Sequence, residues 1–159
     1  MSKLTAWLSP TLICTMGLVL ACSLLFVFDA NSLDYQRQAI AEGQWWRLIT
    51  GNFNHTNLWH LVMNMAGLLV IVSLFEQHFS PLKLVGLILI LALLQGLGLY
   101  IFYPNTLGYV GLSGVLHGIF GYGAVFDIYK GIKMGYWLLV GLIAKIGYEQ
   151  VFGASMMSV

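Results

Sequence analysis

Five stretches of nearly unbroken apolar residues run along the chain, parted by short polar breaks, and each predicts a helix buried in lipid or protein. The first extends from about Pro10 to Phe28, with the proline where a missing N–H costs little. Val19-Leu-Ala-Cys22 within it looks like a lipoprotein cleavage site, but the apolar run continues to Phe28, longer than a signal-peptide core, so a retained helix is expected. A polar connection from Asp29 to about Asn57 follows. It holds Asp34, Arg37, Glu42 and Arg47, and its adjacent Trp45 and Trp46 suit a segment lying at the headgroup level.

The second helix is expected to start at Thr56 or Asn57, either of which can cap it, and to run to about Phe75. Glu76 to Pro81 reads as a polar turn, and Leu82 to Phe102 as the third helix, ended by Tyr103-Pro-Asn-Thr. The fourth, Ser113 to Phe126, has only 14 residues, roughly 21 Å of helix against a hydrocarbon core of about 30 Å. With Asp127, Lys130 and Lys133 at its water-facing end, its other end lies below the membrane surface, preceded by the irregular stretch Leu107 to Leu112. The fifth runs from about Met134 to Val151, with Lys145 and Glu149 spaced to pair.

Composition agrees with a polytopic membrane protein. The 159 residues are 59% hydrophobic and 8% charged, and the mean hydropathy of +0.84 exceeds what a water-soluble domain of this size would bury. A net charge of +1 without a basic cluster argues against a nucleic-acid partner. Cys14 and Cys22 both fall in the first apolar run and form neither a disulfide framework nor a zinc site. Lys3, Lys83, Lys130 and Lys133 fall on one side of a five-helix arrangement and Arg37 and Arg47 on the other, which predicts a cytoplasmic N-terminus and an outward-facing Trp45, His55, Ser113 mouth and Val159.

Two polar features stand out inside the apolar segments. His60 and Asn64 share a helix face, either as polar glue between helices or as donors aimed at a developing negative charge. Ser113 lies between Gly111 and Gly114, with Gly118 and Gly121 further along, either as part of a small-residue packing face or as a nucleophile at a helix terminus. Unpaired N–H groups there can bind an oxyanion, with His60 and Asn64 completing the hole.

The set Gln44-Trp-Trp-Arg47, His55-Thr-Asn-Leu-Trp-His60-Leu-Val-Met-Asn64, Glu76, Gly111-Leu-Ser-Gly114 and Gly121-Tyr122 resembles the rhomboid family of intramembrane serine proteases, over about Trp45 to Val159. His117, where many bacterial rhomboids carry an aromatic residue, and the small size resemble the rhombosortase branch, which processes secreted proteins bearing a C-terminal Gly-Gly tail with a hydrophobic helix and basic residues. The resemblance implies an all-α rhomboid-like bundle, one domain over 1–159, in a bacterial inner membrane. It implies a protease acting on transmembrane or C-terminal hydrophobic segments, with no cofactor or metal. Ser113 matches the nucleophile, His60 and Asn64 the oxyanion-stabilising side chains, and His55 a loop-supporting histidine. Gly111, Gly114 and His117 are expected beside the substrate.

The family's base is a histidine on a sixth helix, following a segment like Phe152-Gly-Ala-Ser-Met156, and no such histidine precedes Val159. The expectation is a C-terminally incomplete domain whose serine lacks its base. His117, one turn from Ser113, is read as lining the cavity or bonding another helix, and His78 lies in the cytoplasmic turn. A non-catalytic binder of membrane helices is the alternative. A small transporter is disfavoured by the single charged pair and the absence of intramembrane chains of acidic residues.

Overall fold

The computed structural model describes residues 9–28 and 30–152. Lys3, Asp29, Val159 and the 153–156 segment lie outside them. Five long helices dominate the described residues: α1 (Pro10–Val27), α4 (Leu58–Leu74), α5 (Pro81–Phe102), α6 (Ser113–Tyr129) and α7 (Met134–Phe152). Two short helices, α2 (Arg37–Ala41) and α3 (Arg47–Thr50), lie in the first connection.

Local chemistry sets the starts of three long helices. Ser9, Asn57 and Ser80 accept hydrogen bonds from the backbone N–H groups of Leu12, His60 and Lys83, and Pro10 and Pro81 occupy first-turn positions. Helices α1 and α5 are long and apolar enough to cross a membrane. The bent pair Arg47–Phe53 and Leu58–Leu74, turned by 94° at its break, makes a third span if counted as one. Large apolar side chains such as Leu20, Ile90, Leu94, Trp137 and Val140 point outward, as lipid contact requires.

The core lies between α4, α5 and α6, where Leu68, Val72, Phe75, Leu84, Ile88, Val115 and Ile119 are buried together. Helix α1 packs behind α4, and α7 lies along α6. Glycines permit the closest approaches: Gly118 meets Leu91 of α5, and Gly96 of α5 lies against the backbone of Leu48 in α3. A Cβ on Gly96 would overlap the Leu48 carbonyl, which a rigid backbone cannot yield. Gly96→Val is therefore expected to destabilise by about 2–3 kcal/mol through overpacking. Gly86→Ala, on the same helix with open space at its Cβ, should leave the detergent-phase melting temperature unchanged or slightly raised. Equal melting of the two variants would show that the α3–α5 contact is dispensable.

Three readings of the connections are corrected. The 29–57 connection is not simply a polar segment at the surface: β1 (Tyr35–Gln36) pairs antiparallel with β2 (Gly108–Tyr109), Tyr35 opposite Tyr109. Trp45 and Trp46 are exposed, but Arg47 turns inward. Its guanidinium donates to Gln44 Oε1 at 2.7 Å and to the carbonyls of Asp34 at 2.7 Å and Asn31 at 3.4 Å. An arginine that satisfies loop carbonyls is a fastener, whatever its neighbours.

Helix α6 continues to Tyr129, beyond the expected Phe126, so it has 17 residues, about 26 Å by the helical rise. Asp127 is not at a water-facing end: it is buried, and its Oδ1 lies 2.5 Å from Nε2 of a buried His78. The turn Glu76–His78 is thereby drawn inward against α6, and His78 lies against the rings of Phe75 and Phe126.

Candidate active site

Helix α6 begins at Ser113, following Leu112 in an α conformation that supplies no side-chain cap. Its first backbone N–H groups therefore face the space before the helix without intrahelical partners. The approach to it is held from several sides. Gly111 donates its N–H to the Gly51 carbonyl at 3.2 Å, and Arg37 donates its N–H to Leu107 at 2.9 Å. The β1–β2 pair holds residues 108–109 between these points.

Gly111 has φ +122°, a conformation that favours glycine. A Cβ there would come within 2.6 Å of the His60 ring and 3.8 Å of Asn64 Nδ2. Glycine at this place lets the loop lie directly against both side chains of α4. Gly114, the next glycine, lies against the Gln95 side-chain amide of α5. The tight packing on both sides of Ser113 thus uses the absence of a side chain twice.

Helix α4 presents His60 and Asn64 from successive turns. The cap residue Asn57 accepts the His60 backbone N–H at 2.8 Å, and Thr56 Oγ1 lies 3.2 Å from His60 Nδ1. Both side chains are buried, and Asn64 Nδ2 has no hydrogen-bond acceptor among the described residues. A buried amide donor without a partner is unfavourable unless it is held for something that arrives. His55 lies edge-on to His60, ring centres 5.1 Å apart, and its backbone N–H is accepted by Asn54 Oδ1 at 3.0 Å. Asn54 in turn donates to Asp34 Oδ1 at 2.6 Å, tying the histidine pair to the first connection.

Ser113 lines a cavity of about 460 Å³ bounded by α4, α6 and α7, with Met63, Leu116, Phe120 and Trp137 as its apolar walls. His117 and Lys145 are its polar members. Lys145 Nζ donates to His117 Nε2 at 2.9 Å and to Glu149 Oε1 at 2.6 Å, so His117 bonds across to α7. A second, more polar cavity of about 420 Å³ lies by His60, Thr56, Asp34, Gln36 and Tyr109.

All four histidines of the chain are described, and none is hydrogen-bonded to Ser113 Oγ. Among the described residues the hydroxyl's partner is Tyr109 Oη at 3.4 Å, and the same phenol donates to the Gly111 carbonyl at 3.0 Å. Sequence reasoning passes over Tyr109 because it lies in a two-residue strand, too short for any periodicity to mark a facing residue. Its place four residues before Ser113 is the only trace. The described residues hold no group of three or more side chains able to bind a metal ion.

Fold and site together define a helical membrane bundle with a serine at the start of one helix and two side-chain donors on another. A rhomboid domain model matches residues 42–158, and the chain belongs to the rhomboid family. It is 26% identical over 121 residues to the "Putative rhomboid protease YdcA" of Bacillus subtilis, covering 72% of this chain and 61% of that protein. It is 32% identical over 91 residues to the mitochondrial RHOMBOID-like protein 6 of Arabidopsis thaliana, covering 57% of this chain and 29% of that protein. The chain thus spans under two thirds of the length of either relative.

Proposed function

We propose that this protein is an intramembrane serine endopeptidase that cuts transmembrane or C-terminal hydrophobic segments of other proteins. Ser113 Oγ attacks the scissile carbonyl, and His60, Asn64 and the Ser113 backbone N–H hold the oxyanion that forms. Gly111, Gly114 and His117 lie along the bound substrate. The serine proton passes to a general base, and none of the four histidines is hydrogen-bonded to Ser113 Oγ. Collapse of the tetrahedral intermediate expels the amine with a proton and leaves an acyl-serine, which water hydrolyses.

The finer reading is the rhombosortase one: a Gly-Gly tail followed by a hydrophobic helix and basic residues, cut in a bacterial inner membrane. In it residues 1–159 belong to one domain, with the N-terminus cytoplasmic and the site opening to the outside. The observation that carries the proposal is the buried, acceptorless Nδ2 of Asn64 beside Gly111.

The test is cleavage of a Gly-Gly-tailed reporter by the intact protein in bilayers. Asn64→Ala is expected to reduce turnover by about 10²-fold, the usual consequence of losing one oxyanion donor, with little change in KM. A variant that cuts at the parental rate would return Asn64 to the role of polar glue. A second reading, a binder of membrane helices without cutting, is favoured by the Ser113 hydroxyl meeting a tyrosine and no histidine. Fluorophosphonate labelling of Ser113 separates the two, because a binder does not react.

A further inference from the structure

We propose, on the reading that His60 donates to the oxyanion, that Thr56 is a positioning residue whose hydroxyl holds His60 Nδ1 as an acceptor and keeps the ring proton on Nε2. Only an N–H can meet an oxyanion, and a neutral imidazole has one. Which nitrogen carries it is decided by the bond that the other nitrogen makes.

Thr56 and Asn57 both precede α4, and Asn57 is the one that caps it. The Thr56 hydroxyl is left for other partners. Asn57 Oδ1 accepts the His60 backbone N–H at 2.8 Å, so the other end of that amide, Nδ2, is the atom 3.2 Å from Thr56 Oγ1. An amide nitrogen can only donate. Thr56 therefore meets His60 Nδ1, 3.2 Å away, as a hydroxyl that already accepts one bond and still has its own proton to give. Accepting a bond makes a hydroxyl the better donor. The run from Asn57 Nδ2–H through Thr56 Oγ1–H to His60 Nδ1 then points one way, and the ring proton falls on Nε2. Thr56 and His60 are four residues apart, so the start of α4 builds this run locally.

The far nitrogen is placed to use that proton. A Cβ on Gly111 would come within 2.6 Å of His60 Nε2, so this edge of the ring meets the loop just before Ser113. The reverse order, with Nδ1–H donating to Thr56, would present a lone pair there and repel the developing negative charge. His55 lies edge-on to His60, but neither of its ring nitrogens has a hydrogen-bond partner among the described residues. It supports the ring without deciding the tautomer.

The test is nitrogen NMR of the intact protein in lipid nanodiscs with isotope-labelled histidine, paired with kcat and KM for the Gly-Gly-tailed reporter. The His60 signals are those lost in His60→Asn. They should show a protonated Nε2 and an Nδ1 that receives a hydrogen bond. Thr56→Val keeps the side-chain shape and removes the hydroxyl. In it Nδ1 should move to the shift of an unbonded acceptor, and kcat should fall about three- to tenfold at unchanged KM, the effect of losing one hydrogen bond that orients a donor. Thr56→Ser should match the parent in both readouts. The melting temperature should stay the same throughout, because Thr56 is exposed. A proton on Nδ1 in the parent, an unmoved Nδ1 signal or a parental kcat in Thr56→Val, or an equal loss in Thr56→Ser overturns the proposal. Cleavage that persists in Ser113→Ala overturns the protease reading instead, and the His60 spectrum still decides the tautomer.

Discussion

Ser113→Ala is expected to abolish cleavage of a membrane-anchored substrate, a fall of about 10⁴-fold or more, since nucleophile removal leaves only binding and oxyanion stabilisation. The expectation is for a chemical loss and not for unfolding. Ser113 caps nothing through its side chain, its hydroxyl's partner among the described residues is 3.4 Å away, and alanine is at home in a first helical turn. Stability should change by no more than about 0.5 kcal/mol. Cleavage and melting temperature measured on the same reconstituted samples make the check. Cleavage that survives in a well-folded Ser113→Ala protein would remove the serine from the chemistry and with it the protease reading.

Asp127→Ala should give the largest loss of stability, about 3 kcal/mol or more. The substitution deletes the carboxylate 2.5 Å from His78 Nε2 and leaves a buried imidazole whose remaining side-chain hydrogen-bond partner among the described residues is Gln77 Nε2 at 3.5 Å. It also opens a void where α6 meets the turn between α4 and α5. Replacing both members, as His78→Leu with Asp127→Leu, should recover much of the loss, because a buried polar pair contributes little beyond what apolar packing supplies. Thermal unfolding of the two single variants and the double variant, read as a cycle, measures the coupling. Additive losses would mean that the two residues do not depend on each other.

The elements that were legible are those with long apolar runs and local punctuation. Pro10, Asn57 and the break at Tyr103-Pro104 mark helix ends within the reach of a few residues, and the observed boundaries of α1, α4 and α5 lie close to them. His60, Asn64 and Ser113 were legible as candidates for a similar reason: helical spacing and flanking glycines are written along the chain. What stayed hidden depends on distant partners. A two-residue strand such as Tyr35–Gln36 is too short to show alternation, and its partner lies over 70 residues away. Arg47 beside two tryptophans reads as a headgroup contact until the carbonyls of Asn31 and Asp34 fold around it. Asp127, close to Lys130 and Lys133, reads as a solvated helix end, because nothing local announces His78.

The contact between Leu48 and Gly96 bears on how the protein is made. Leu48 leaves the ribosome well ahead of Gly96, the glycine that will receive its backbone, and α5 must be in place before α3 can settle. Until then Leu48 has no α5 backbone to lie against. Trp45 and Trp46, still outward-facing in the finished molecule, suit the membrane interface and can moor this stretch there while translation continues. Insertion of α5 then supplies Gly96, the position without a side chain against which the Leu48 backbone lies. The order of synthesis is thereby matched to an order of assembly, with the loop that precedes Ser113 among the last parts to find its partners.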